Sequence, residues 1–165
     1  MSRARVLTLT FLAMLAFASN SLLCRAALRH TTIDPATFST VRIVSGAVAL
    51  GVIARVRNAG PNSESGTGSW ASALALFGYV AAFSFAYVSL SAATGALLLF
   101  GSVQATMIGF SLAHGERLRP RQILGLCAAL GGLIGLLLPG LSAPPWLGSS
   151  LMLAAGFAWG IYSLR

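Results

Sequence analysis

From Ala92 to Ala113 the chain runs for 22 positions without a charged residue, and then His114, Glu116, Arg117, Arg119 and Arg121 arrive within eight positions. As a helix the uncharged run is about 33 Å long, enough to cross a hydrocarbon core of about 30 Å. Inside that core each backbone N–H and C=O must be satisfied within a helix or a closed barrel, and a lone run of this length points to a helix. Five further apolar segments, Val6 to Leu23, Ala36 to Ala54, Trp70 to Leu90, Gln122 to Leu138 and Leu147 to Leu164, share this character. Together they predict an all-α, polytopic transmembrane helix bundle of six spans. Composition agrees: 56% of residues are hydrophobic, only 8% are charged and the mean hydropathy is +0.82, whereas soluble domains carry about a quarter charged residues.

The net charge of +8 would suggest nucleic acid in a soluble chain. Here all eleven basic residues are arginines that mostly punctuate apolar runs, so they are read as topology marks and no nucleic-acid partner is expected. With the N-terminus inside, Arg3, Arg5, Arg55, Arg57, Arg117, Arg119, Arg121 and Arg165 flank the cytoplasmic face, eight in all, against Arg25 and Arg29 outside. That bias sets the orientation, because arginines beside short loops stay in the cytoplasm. The first segment, with Arg3 and Arg5 before an apolar core, also has the form of a signal peptide. Arg25, where a small neutral cleavage site is wanted, and the many later spans argue against cleavage.

Between the runs, Arg25, Arg29, His30 and Asp34 mark a loop closed by Pro35, and Pro120 opens the fifth span, both suited to a first helical position. The stretch Asn58 to Ser69, NAGPNSESGTGS, reads as a flexible loop, and Pro139, Gly140, Pro144 and Pro145 end the fifth span. Trp70 and Trp146 stand where interfacial anchors belong. The third and fourth spans are joined by so short a link, Ser91 to Ala93, that they form an antiparallel hairpin. Gly101, Ala105, Gly109 and Ala113 recur every four residues and are expected to be a helix-packing stripe, since small residues let a second backbone approach. Cys24 and Cys127 are read as apolar filler at opposite faces, out of reach of one another.

The chemistry is sparse. The three acids, Asp34, Glu64 and Glu116, lie in expected loops, and no span holds an Asp, Glu or Lys. There is no nucleophile with its base, no carboxylate pair and no metal-ligand spacing, so no catalytic residue, no metal site and no cofactor is assigned and the chain is not expected to be an enzyme. What remains are embedded polar and aromatic groups, from which Asn20, Arg42, Tyr79, Tyr87, Gln104 and Trp159 are the candidate substrate path. Each has a second reading. Arg42, about 9 Å into its helix, either snorkels to the headgroups or faces an internal cavity, where it binds an anionic group or pairs across the bundle. Tyr79 and Tyr87 line a path or pack with satisfied hydroxyls. Gln104 is an interhelical strut or part of the path. A bundle of small residues with few polar groups suits a solute carrier, and also an assembly or scaffold subunit.

Four stretches resemble the EamA family of the drug/metabolite transporter superfamily: PATFSTVR (Pro35 to Arg42), FAYVSLSAATGALLL (Phe85 to Leu99), GERLRPRQILG (Gly115 to Gly125) and GSSLMLAAGFAWGIYSLR (Gly148 to Arg165). Gly115, Glu116 and Arg117 at the elbow are the most specific part, matching the family loop motif between the fourth and fifth helices. The resemblance implies a carrier of ten helices built as two inverted repeats of five, in the bacterial inner membrane, with both termini cytoplasmic and a central site for a small organic metabolite. Arg42 then matches the arginine common early in the second span. Two departures stand out: Ser102 and Val103 occupy the place of a mid-helix proline, and residues 6–141 with 147–165 make one repeat plus the opening helix of a second. The expected function is transport of a small metabolite, probed against a non-transporting membrane fragment or scaffold subunit. The expected partners are the lipid bilayer, the solute and either a second copy of the chain or the absent repeat. Reporter fusions after Asn58 and after Pro144 are expected to fall on opposite sides of the membrane, cytoplasmic and external respectively; same-side signals would overturn this topology.

Overall fold

The structure, a computed structural model, describes residues 2–57, 69–137 and 144–164. Six helices follow one another: α1 (Arg3–His30), α2 (Pro35–Arg57), α3 (Trp70–Ala86), α4 (Ala92–Ala113), α5 (Pro120–Leu137) and α6 (Trp146–Ser163). Most of the stretch Asn58 to Ser69, with Glu64, and also Pro139, Gly140 and Arg165 lie outside the described residues. Among those described, α1, α2 up to Val56 and α4 are long and apolar enough to cross a membrane. This corrects the expectation of six such spans to three: α3 is a shorter apolar helix of 17 residues, about 26 Å long, and α5 and α6, with 18 residues each, are not among the three. The third span stops at Ala86, four residues before its expected end at Leu90, because Tyr87 to Leu90 bend into the turn that leads to α4.

Local chemistry sets the helix ends. Asp34 accepts from the amides of Ala36 and Thr37, both at 2.9 Å, and so caps α2 one residue ahead of Pro35. Hydrogen bonding by Thr37, through its side chain and then its amide, holds the Asp34 carboxyl below the ordinary carboxylate range. A lowered folded-state value means that this cap stabilises at neutral pH and loses its contribution as pH falls through that value. Ser91 caps α4 by accepting from Thr94 at 3.1 Å. At the start of α5, Gln122 reaches back to the Arg119 amide at 2.7 Å, the reciprocal half of a capping box.

The expected loop from Arg25 to Asp34 is mostly helix, since α1 continues to His30. Arg25 explains part of this. Its Nη1 donates to the carbonyls of Tyr87 at 2.6 Å and Val88 at 2.9 Å, so it satisfies acceptors that the end of α3 leaves open. A cation there also faces the negative end of the α3 dipole.

The centre of the bundle is α6, which lies against both α3 and α4. Its glycines make this possible. A Cβ at Gly156 would stand 2.6 Å from the Leu99 carbonyl and 2.6 Å from the Ser102 Cβ, and one at Gly160 would stand 2.7 Å from the Thr106 Cβ. Gly148 meets Ser89 and Leu90 at the end of α3 in the same way. Ser102 then donates to the Leu153 carbonyl at 2.7 Å, a polar tie between α4 and α6. The close approach on α4 therefore uses the face of Leu99, Ser102 and Thr106. The stripe one residue round the helix, with Ala105, Gly109 and Ala113 exposed, stays open, and nothing lies within 4 Å of a Cβ at Gly109.

Buried among the described residues are Cys24, Tyr79, Val80, Phe83, Ala86, Tyr87, Leu90, Leu99, Met152 and Ala155, together with Ser21, Ser39 and Ser84. Leu7, Phe11, Met14, Val48, Leu50, Leu74 and Leu124 point outward. Large apolar side chains cover the outside as well as filling the centre, which suits a bundle solvated by lipid, where packing holds helices together. Gly156→Leu is expected to lower the unfolding free energy in detergent by about 1–3 kcal/mol through overpacking of the α4–α6 contact. Gly109→Leu, into open space, is expected to stay within about 0.5 kcal/mol of the parent, and equal losses at the two positions would contradict this packing.

Candidate functional site

Asn20 on α1, Arg42 on α2 and Tyr79 on α3 meet inside the bundle. Arg42 Nη2 donates to Asn20 Oδ1 at 3.1 Å. The guanidinium lies 5.0 Å from the centre of the Phe83 ring and 5.7 Å from that of Phe38, within cation–π range. Tyr79, 8% exposed, brings its hydroxyl toward Arg42 and Asn20. Arg42 is thus half-buried and turned inward. Its Nη1 is buried and has no hydrogen-bond partner.

The surroundings are apolar or self-satisfied. Ser84 donates to the Val80 carbonyl at 2.9 Å and Ser39 to the Pro35 carbonyl at 2.7 Å, each within its own helix. Cys24, buried and free, lies beside Ser84 and Arg42. Cys127, also free, is exposed on α5.

A row of rings runs from the polar cluster across the bundle. Phe83 meets Tyr87 edge-on, with centroids 4.7 Å apart, and Tyr79 at 5.4 Å. Tyr79 meets Trp159 at 5.0 Å, and Trp159 meets Phe17 at 5.3 Å and Phe100 at 6.0 Å. These spacings are those of favourable aromatic pairs. The Tyr87 hydroxyl donates to the Ala92 carbonyl at 3.3 Å, across the turn into α4. Its ring fills the space beside Gly95, where any Cβ would collide with it.

Five of the six candidate path residues, Asn20, Arg42, Tyr79, Tyr87 and Trp159, are therefore linked directly or through rings. Gln104 is not among them. It is exposed and faces a groove between α4 and α5, with Leu97, Ile108, Leu126 and Ala129. The rings of Phe17, Phe38, Phe83 and Phe100 were not singled out from the sequence. Phe83 could have been found, since Tyr79, Phe83 and Tyr87 repeat every four residues and so share one helix face.

At the elbow, Gly115 has φ +87°, the left-handed region that favours glycine. The Glu116 amide donates to the Ser111 carbonyl and the Gly115 amide to Leu112, both at 3.1 Å, which is the Schellman closure of α4. The side chains of Glu116 and Arg117 are exposed.

Comparison with known proteins gives this geometry a family. The pattern described as "EamA-like transporter family" matches residues 4–138, most of the chain. The chain belongs to the EamA-like transporter family. EamA proteins are transporters and not enzymes, and membership with three apolar spanning helices makes this a multi-pass protein of the bacterial inner membrane. Within the EamA match, Gly115 takes the αL turn and the Glu116 amide closes it. A protein of Pseudomonas aeruginosa strain PAO1, described as "Uncharacterized protein PA1977", is 56% identical over 160 residues. That alignment covers 97% of this chain and 55% of the relative, so the chain spans about half the length of the curated relative it matches. No solved structure matches the chain.

Proposed function

We propose that the chain takes part in moving a small organic metabolite across the bacterial inner membrane, with its N-terminus in the cytoplasm. The observation that carries this reading is the Asn20–Arg42–Tyr79 cluster, where three helices converge polar groups inside a bundle whose outer surface is apolar. Polar groups at membrane depth are costly and mark solute or ion paths. Asn20, Arg42 and Tyr79 then hold the solute's polar end, while Tyr87 stands at one end of the ring row and Trp159 carries it on toward Phe17 and Phe100.

The remaining candidate residues serve assembly. The open stripe at Gly101, Ala105, Gly109 and Ala113 seats a further helix, from the remaining repeat of a ten-helix carrier or from a second copy of the chain. Support comes from an apolar groove of about 570 Å³ beside it, lined by Ala105, Gly109, Phe110, Phe157 and Ile161. Gln104, in the separate groove between α4 and α5, acts as a strut to a neighbouring helix. All six helices lie across the membrane in this reading, the shorter ones tilted less or ending inside the headgroup layer. The family match ends at 138, before α6, which supports residues 6–141 as one repeat and 147–165 as the start of the next.

The test is flux in proteoliposomes, run with the chain alone and with the chain joined to the remainder of the P. aeruginosa relative. Saturable uptake from a labelled metabolite panel is expected in at least the joined form, with Arg42→Leu lowering it at least about tenfold, the effect of losing one charge-assisted contact. Gln104→Leu is expected to change it less than about threefold. Absence of flux in both forms would place the chain among non-transporting membrane subunits.

A further inference from the structure

Arg42 presents an unbalanced charge. A guanidinium carries five donors, no acceptor and a permanent positive charge. Here Nη2 is bonded to the neutral Asn20 amide, the ring faces of Phe83 and Phe38 take part of the charge, and Nη1 is buried without a partner. Among the described residues the acids are Asp34 and Glu116. Asp34 is spent on capping α2, eight residues and so about 12 Å along the helix from Arg42. Glu116 lies in the elbow at the far end of α4. A half-buried cation whose spare donor is itself buried, with no carboxylate beside it among the described residues, is costly unless an anion arrives to meet it.

The neighbours narrow what that anion is. Tyr79 and Asn20 add neutral polar groups next to the guanidinium, while the half-buried rings of Phe38 and, beyond Tyr79, Trp159 offer apolar surface. One free nitrogen suits one oxyanion, and the rings suit a body without further charge.

We propose that Arg42 Nη1, backed by Asn20 and Tyr79, is the docking point for the carboxylate of a small monoanionic solute whose apolar part lies against the Phe38 and Trp159 rings. The proposal rests on the transport reading only for the name "substrate"; the anion site itself is a statement about binding. Asn20 is a positioning residue here, since it fixes Nη2 and so aims Nη1.

The test is equilibrium binding to the purified full chain in a neutral detergent, read by fluorescence. Trp70→Phe and Trp146→Phe remove two exposed indoles and leave Trp159 as the sole tryptophan. The probes are acetate and benzoate, their neutral counterparts acetamide and benzamide, inorganic phosphate, and micelles doped with phosphatidylglycerol. The expected result is saturable quenching by benzoate, at least about tenfold tighter than by benzamide, since one charge-assisted hydrogen bond is worth that factor. Acetate should compete with benzoate more weakly, for want of an apolar body. Arg42→Gln should remove the preference for benzoate over benzamide while benzamide quenching persists, which shows the site still folded. Arg42→Lys should keep part of it.

Equal affinity for benzoate and benzamide in the parent, or an unchanged preference in Arg42→Gln, would overturn the proposal. So would a response to phosphatidylglycerol with none to benzoate, which would assign the anion to a lipid headgroup. Binding with the expected preference but no flux would defeat the transport reading and leave the anion site standing. Flux of neutral solutes without anion preference would do the reverse.

Discussion

The contact between Arg42 and Asn20 is the interaction that gives the interior of this bundle its character. A guanidinium at membrane depth can extend to the headgroups or be held among protein groups. The 3.1 Å bond to Asn20 Oδ1 and the two flanking phenyl rings hold it inside. Three helices must then stay in register, since α1 supplies the amide, α2 the cation, and α3 both Phe83 and Tyr79. A shift of α2 by one turn, about 5.4 Å, would break every one of these contacts.

Holding α3 in place falls to its neighbours. On one side Arg25 reaches from α1 to the carbonyls of Tyr87 and Val88 just past the end of α3, so the same helix that provides Asn20 also ties down the far end of the aromatic face. On the other, α6 brings glycine surfaces against α3 and α4, and Trp159 sits between Tyr79 and Phe100 as a result. In lipid there is little hydrophobic gain from bringing helices together, and backbone approach at Gly156 and Gly160 provides dispersion contact instead. The aromatic row depends on that approach: α6 further out would separate Trp159 from both rings.

Much of this was legible in the residues. The limits of α4 at Ala92 and Ala113, the proline starts of α2 and α5, and the turn at Gly115 follow from charge, caps and glycine, all of which are local signals. Asn20, Arg42, Tyr79, Tyr87 and Trp159 stood out because polar or aromatic groups in apolar runs are rare. Three features were hidden for the same reason, that they depend on a distant partner. Arg25 reads as a loop residue until the carbonyls of Tyr87 and Val88 are seen next to it. The α4 face that carries Ser102 and Thr106 is less conspicuous than the small-residue stripe, yet it is the face that meets glycines on α6. Phe17 and Phe100 look like lipid-facing residues, and only the arrangement of α1, α4 and α6 puts them on Trp159.

The central claim is that Arg42 is held inward by Asn20 and does not snorkel away from it. A double-mutant cycle of Asn20→Ala and Arg42→Gln, followed by reversible unfolding in detergent, measures that link most directly. A coupling of about 1–2 kcal/mol is expected for a hydrogen bond to a charged group in a sheltered site. Additive effects, with coupling near zero, would mean that the two side chains do not depend on each other and would contradict the account.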